Sequence, residues 1–253
     1  MNLPNPKDAK HKAWLYRVLT AIYDNIFLAR VLRFKGGTCA VILGLLDRFS
    51  VDLNFDFVGE KSDFAEAHRE MEKIFRRLGL SIKDRSRNVP QYFLQYSTKQ
   101  RERNMLKIDV AFPATVANQY EAKRFTEIDR IITCQTTETM FANKLVALLD
   151  RYKKNNSIAG RDVYDIHHFF ENGFRYNEAV ILERTGLKAK EFFMELIAFI
   201  EEKVSDEFIA QDLNSLVPYA RFRLLHKVLK REALMFLRDE AMRLDNGSIA
   251  KKS

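Results

Sequence analysis

The sequence predicts an α/β domain followed by a helical domain, and three observations carry that prediction. Up to about Phe112, helical apolar spacing alternates with short segments of strict two-residue period. From about Glu138 to Asp245 the period is helical throughout. The chain has 253 residues, 47% of them hydrophobic, which is enough for two modest cores. The expected division is 1–130 for a small mixed, twisted sheet with flanking helices and 131–253 for a helical bundle.

The elements follow in order. A first helix is expected from about His11 to Arg30, with Leu15, Val18, Leu19, Ile22 and Ile26 on one side. A short extended piece, Val31 to Lys35, ends in Gly36-Gly37-Thr38, where Thr38 reads as the N-cap of a buried helix holding Val41, Ile42, Leu45 and Leu46. In Val51 to Phe57 the odd positions are apolar and the even ones are Asp52, Asn54 and Asp56, a strand with one wet, acidic face. A helix with Phe64, Met71, Phe75 and Leu78 inward follows, then strand-like runs at Gln91 to Ser97 and Leu106 to Phe112. Later helices are expected near Glu138 to Tyr152, Arg161 to Glu171, Tyr176 to Arg184, Ala189 to Val204 and Ala220 to Leu244. The border near residues 113–137 is approximate.

Composition excludes several classes. The apolar content excludes a disordered chain. The longest uncharged apolar run, Cys39 to Leu46, is far short of the roughly 20 residues of a membrane-spanning helix, and the opening MNLPNPKDAK is too polar for a signal peptide. A soluble, cytoplasmic protein with no membrane partner is the expectation. Cys39 and Cys134 lack metal-ligand spacing and read as core thiols of a reducing compartment.

The net charge of +8 is concentrated. Between Met71 and Lys107 ten basic residues face three acidic ones, a local +7. Arg85, Arg87, Arg101 and Arg103 are the candidate contacts to a polyanion with stackable bases, which the resemblance drawn below implies to be RNA, with Tyr92, Phe93 and Tyr96 interleaved as stacking faces. The alternative is a solvated basic face above core aromatics. A second basic run, Arg221 to Arg231, reads as part of an amphipathic helix.

The chemistry concentrates around the glycine turn. Glycines let the backbone approach a phosphate, and the N–H groups of a first helical turn receive it. The carboxylates of the following strand are then available for the metal that a triphosphate brings. If Leu106 to Phe112 lies beside that strand, Asp109 joins Asp52, Asn54 and Asp56 as a candidate ligand set of hard oxygen donors.

KGGT at Lys35 to Thr38, followed by RFSVDLNFD at Arg48 to Asp56, resembles the signature of the AbiEii branch of the DNA polymerase β-like nucleotidyltransferases. These are the toxins of type IV toxin–antitoxin systems and include the MenT proteins. Lys144 within FANKLVALLDR and RDVYDI from Arg161 to Ile166 match two further motifs of that family in its order. The resemblance implies that Lys35, Gly36, Gly37, Thr38, Lys144 and Arg161 bind nucleotide. It implies that Asp52 ligates magnesium or manganese, and that Asp162 and Asp165 act as a base or as positioning groups. It further implies transfer of a nucleotide from an NTP to an RNA 3′ end, tRNA foremost, with the helical domain closing the nucleotide cleft and a cognate antitoxin as partner. One departure stands out: Asn54 occupies the second acidic position of the D-x-D pair. Two alternatives stay open, nucleotidylation of a small molecule or protein, and a catalytically weakened homologue that binds RNA or a partner.

Overall fold

Polar and apolar residues alternate along the central strands, and the fold sorts them onto the two faces of one sheet. The computed structural model describes residues 3, 5–97 and 103–250. Its first unit runs to Ala114 and again from Gln119 to Thr136. The strands are β1 (Leu32–Lys35), β2 (Asp52–Phe57), β3 (Ser81–Arg85), β4 (Tyr92–Gln95), β5 (Met105–Ala111), β6 (Tyr120–Phe125) and β7 (Arg130–Gln135), in the order β3-β4-β5-β2-β1-β7-β6. The β1·β7 and β2·β5 pairs are parallel and the others antiparallel.

One face is apolar, with Phe34, Leu53, Phe55, Leu106, Ile108 and Cys134 fully buried. Against this unit's strands lie α1 (Ala9–Tyr23), α2 (Ile26–Val31), α3 (Gly36–Ile42) and α4 (Phe64–Arg77). Each Phe removed from water in this way contributes about 1.5–3 kcal/mol. Both cysteines are free and buried, Cys39 on α3 and Cys134 on β7.

Several expectations are corrected here. The single first helix is two, because Asn25 leaves the helical region and its side chain accepts from Leu28 N–H to cap α2. Thr38 is not an N-cap: α3 begins at Gly36, and Thr38 lies buried in the first turn. The segment 113–137, where the border was approximate, contains the β6–β7 hairpin, and the first compact unit runs through Thr136. The strand β3, wholly exposed along its length, carries no apolar alternation by which to recognise it.

The second unit takes Thr115–Asn118 and begins again at Thr137. It contains α5 (Thr137–Asn155), α6 (Gly160–Glu171), α7 (Glu178–Thr185), α8 (Ala189–Lys203), α9 (Asp206–Leu213), α10 (Tyr219–Leu225) and α11 (Leu229–Ala250). The loop at 115–118 is tied to this unit by backbone N–H groups of Val116 and Ala117, both donating to Glu183. Aromatic residues fill its core: Phe141 stacks on Phe169 at 4.8 Å, and Phe192 and Phe193 are fully buried. An eight-residue helix not among those expected, α9, is capped by Ser205, with Asp206 and Glu207 in its first turn. The expected helix from Ala220 to Leu244 is divided at 226–228 with no glycine or proline to announce the break. Among the described residues no helix is long and apolar enough to cross a membrane.

Gly160 opens α6 where α9 passes closest. A Cβ there would stand 2.5 Å from Ile209 Cα and 2.6 Å from the Phe208 carbonyl oxygen, both backbone atoms that cannot rotate away. Gly160→Ala is therefore expected to destabilise the protein by about 1–3 kcal/mol or more. Urea unfolding of the variant, with unchanged slope and lowered midpoint, checks this.

Candidate active site

The polar face of the sheet carries Asp52, Asn54 and Asp56 on β2, and the parallel register sets Asn54 level with Asp109 and Asp52 level with Lys107 on β5. Successive side chains alternate across a sheet, so these five share one face. Lys107 Nζ lies 2.9 Å from Asp109 Oδ2 and 5.8 Å from the centre of the Phe93 ring. Gln91 Nε2 also donates to Asp109. Asp109 is thus held from two sides.

The glycine turn abuts this face. Gly36 has φ +78°, a left-handed conformation that favours glycine, and a Cβ there would come 3.1 Å from Asn54 Cβ. Gly37 lies under a guanidinium: a Cβ would meet Arg48 Nη2 at 2.8 Å and Ser50 Oγ at 3.1 Å. The Thr38 hydroxyl points inward, donating to the Asp52 carbonyl and meeting Ser50 Oγ at 2.8 Å. The R-F-S-x-D run therefore braces the turn from below. Arg48 and Ser50 were part of the recognised motif but carried no assigned role, and the structure supplies one.

Asp56 departs from the expected wet face. It is 1% exposed, with Lys35 Nζ at 2.5 Å, Gln135 Nε2 at 2.7 Å and Tyr120 OH at 3.0 Å. Burial with three donors makes it an internal tie between β2, β1 and the β6–β7 hairpin rather than a metal ligand. Tyr120 and Gln135 come from the hairpin that the sequence pattern did not reveal. The remaining donors, the Asp52 and Asp109 carboxylates and the Asn54 amide oxygen, are half-buried hard oxygens on one face. That chemistry suits a magnesium or manganese ion that keeps several waters. Among the described residues no group of three or more His, Cys, Asp or Glu gathers to hold a metal, since Asn54 occupies the middle position.

His11 on α1 supports β2 from its N-terminal side. Its Nε2–H donates to the Val51 carbonyl at 2.8 Å, and its Nδ1 lies 2.8 Å from the Tyr96 hydroxyl. Burial, reinforced by Arg103 and opposed by the Val51 hydrogen bond, pushes its pKa down to about 4. An unfolded histidine takes up its proton near pH 6.5, so the unfolded chain gains protons first as pH falls. Stability is expected to drop by roughly 3 kcal/mol between pH 6.5 and 4 from this group and then level off. His11→Gln should flatten that part of the curve, as read from unfolding midpoints against pH.

In the helical unit, Lys144 on α5 and Asp162 and Asp165 on α6 form one cluster. Lys144 Nζ is 2.7 Å from Asp165 Oδ2 and 3.5 Å from Asp162 Oδ1, and Arg151 Nη2 is 3.3 Å from Asp162 Oδ2. Asp165 is fully buried, Asp162 is 1% exposed, and the Lys144 side chain is 17% exposed. The Lys144 amine is thus partnered by this acid pair. Buried, paired carboxylates are suited to orienting the lysine and not to exchanging protons with substrate, so of the two roles open to them positioning fits. Arg161, beside them at the start of α6, is half-buried.

The basic segment is mixed in character. Arg85 and Arg87 are exposed on and after β3, although Arg85 pairs with Glu72. Arg103 lies 3.6 Å from Asp8 and over the Phe49 ring. Arg101 lies outside the described residues. Of the three aromatics, Tyr92 is a core residue at 1% exposure and Tyr96 stacks on Trp14, whereas Phe93 is 41% exposed with Lys107 over its ring.

The same fold occurs in solved structures of other proteins. MenT4, a nucleotidyltransferase toxin of Mycobacterium tuberculosis, is 18% identical with a TM-score of 0.54 over 94% of this chain and 87% of its own. JHP933 of Helicobacter pylori is 16% identical with a TM-score of 0.53 over 98% of this chain and all of its own. A further Helicobacter pylori structure, solved as a candidate nucleotidyltransferase, is 16% identical with a TM-score of 0.56, covering 93% and 98%. No curated protein is similar enough to count as a relative. The class of the protein, a nucleotidyltransferase, is shown by the family that its sequence matches. More particularly, the chain belongs to the AbiEii family: residues 17–226 match the family described as Nucleotidyl transferase AbiEii toxin, Type IV TA system.

Proposed function

We propose that this toxin nucleotidyltransferase moves an NMP from an NTP to the 3′ end of an RNA, tRNA foremost, in the cytoplasm and under the control of a cognate antitoxin. The observation that supports this most is the register that sets Asp109 level with Asn54 and diagonal to Asp52, directly beside the Gly36-Gly37 turn. Asp52, Asn54 and Asp109 would hold a divalent ion, which when bound supplies Lewis-acid neutralisation of the triphosphate. Backbone N–H groups of the Gly36-Gly37-Thr38 turn receive phosphate oxygens, and Lys35, paired with Asp56, stands at the same corner. Lys144 is assigned to the triphosphate and Arg161 to the same nucleotide, with Asp162 and Asp165 fixing the lysine's orientation.

The reaction is an in-line displacement. The acceptor hydroxyl oxygen bonds to the α-phosphorus, the bond to the pyrophosphate leaving group breaks, and a carboxylate, Asp109 by its place beside Asn54, takes the hydroxyl proton. Incubation with each α-labelled NTP and total RNA, in magnesium or manganese, tests the proposal. Label in tRNA that requires Asp52 supports it; label only in protein or small molecules would replace the acceptor. Asn54 favours one further reading, a weakened enzyme that survives as a binding protein, and calorimetry showing no magnesium-dependent NTP binding would support that instead.

The basic segment has its own expected outcome. Neutralising Arg85, Arg87 and Arg103 together should weaken RNA binding and lower the slope of log affinity against log salt by about 2. Anisotropy titrations at several salt concentrations measure both.

A further inference from the structure

The basic run that opens α11 lines a cavity that the reaction above does not use. It has a volume of about 320 Å³ and is bounded by Asp206 at the start of α9 and by Lys227, Lys230, Arg231, Leu234 and Arg238. Residues three and four apart lie on one helix face, so 227, 230, 231, 234 and 238 line one side of α11 and its lead-in. Four cations thus converge on a concavity with one carboxylate. Arg238 is neutralised by Glu201, and Lys230 donates to the Glu201 carbonyl at 3.2 Å. Lys227 and Arg231 are exposed, and among the described residues neither forms an ion pair with a carboxylate.

We infer that this cavity is an anion site for phosphodiester groups of the RNA acceptor, distinct from the 71–107 segment. The inference rests on the RNA-acceptor reading above. The lining argues for a phosphate ligand over an acidic peptide. It offers one apolar side chain, buried Leu234, and no aromatic, whereas a peptide needs apolar anchors to bind at useful strength. Phosphate needs only charge and donors, and Arg supplies a planar fork of them. A cavity of this size admits one or two backbone phosphates with their sugars, which makes it an anchor of register with no base discrimination.

The test compares the full chain with Lys227→Ala/Arg231→Ala and with the charge reversal Lys227→Glu/Arg231→Glu, each first checked for an unchanged melting curve. Binding of labelled tRNA is titrated between about 50 and 200 mM salt, the range over which phosphate contacts are resolved. The alanine pair is expected to bind tRNA about 5- to 20-fold more weakly, with a salt slope lower by about 1.5, and the glutamate pair more weakly still. NTP binding to both variants stays at the wild-type level. If both variants bind tRNA as the wild type does, with the same slope, the cavity proposal is overturned and the acceptor reading stands. If the wild-type protein itself fails to bind tRNA, the acceptor reading falls and the proposal with it. A parallel titration with inorganic tripolyphosphate separates the sources: loss of tripolyphosphate binding with intact tRNA binding assigns the cavity to a free polyphosphate and overturns the RNA assignment.

Discussion

Asp52→Ala is expected to lower nucleotide transfer at least about 10²-fold, the scale on which removing one preorganised electrostatic group from an active site is felt. Asp52 opens β2, the strand on which the glycine turn rests. Its backbone carbonyl accepts from Thr38, while its side chain stands half-exposed on the polar face. The substitution keeps the backbone contact and removes the carboxylate, and its effect on transfer is distinct from any effect on stability. Single-turnover transfer with α-labelled NTP, read beside a urea unfolding curve, separates the two effects. Transfer at the wild-type rate would remove Asp52 from the chemistry. Asn54→Asp belongs in the same experiment, because a third negative charge beside Asp52 and Asp109 should shift the magnesium concentration for half-maximal rate downward.

The largest stability effect is expected at Asp165. Asp165→Ala leaves Lys144 with Asp162 at 3.5 Å as its acidic neighbour, which Arg151 already shares. Removing one member of a buried ion pair costs about 3–5 kcal/mol, mostly because the stranded charge is still out of water. Replacing both partners by apolar groups of similar size is close to neutral on the same argument. Lys144→Met/Asp165→Leu, with Asp162 keeping Arg151 as its partner, should therefore recover part of the stability in a urea titration and still transfer no nucleotide. That contrast tells an orienting pair from a merely structural one: a double variant that is stable and active would leave Lys144 no role at the phosphates.

The central strands and the turn were legible because a half-buried sheet writes its faces into alternate positions. Val51 to Phe57 and Leu106 to Phe112 showed it, and their pairing placed Asp109 beside Asn54. The hairpin β6–β7 was not legible: β6, with Glu121, Lys123 and Arg124 among its six residues, is largely exposed, so no apolar alternation marks it. Missing it hid Tyr120 and Gln135, and with them the reason Asp56 is buried. Asp56 sits at an even position like Asp52 and Asn54, and only the third dimension tells the three apart. The partners of Lys144 were within reach, since Asp162 and Asp165 share one helix face. The closing of that face onto α5 depends on tertiary contacts, including the close approach at Gly160, that no single-helix pattern encodes.

The excursion at Thr115–Asn118 bears on how such a gene is cut and recombined. The polypeptide leaves the sheet, lends four residues to the helices, returns for a hairpin and departs again. A fragment starting at Thr137 would lack the amides that Glu183 receives, and a fragment stopping at Ala114 would lack two strands. Neither half is a transplantable module, so chimaeras between homologous toxins should tolerate crossovers poorly anywhere between 115 and 136.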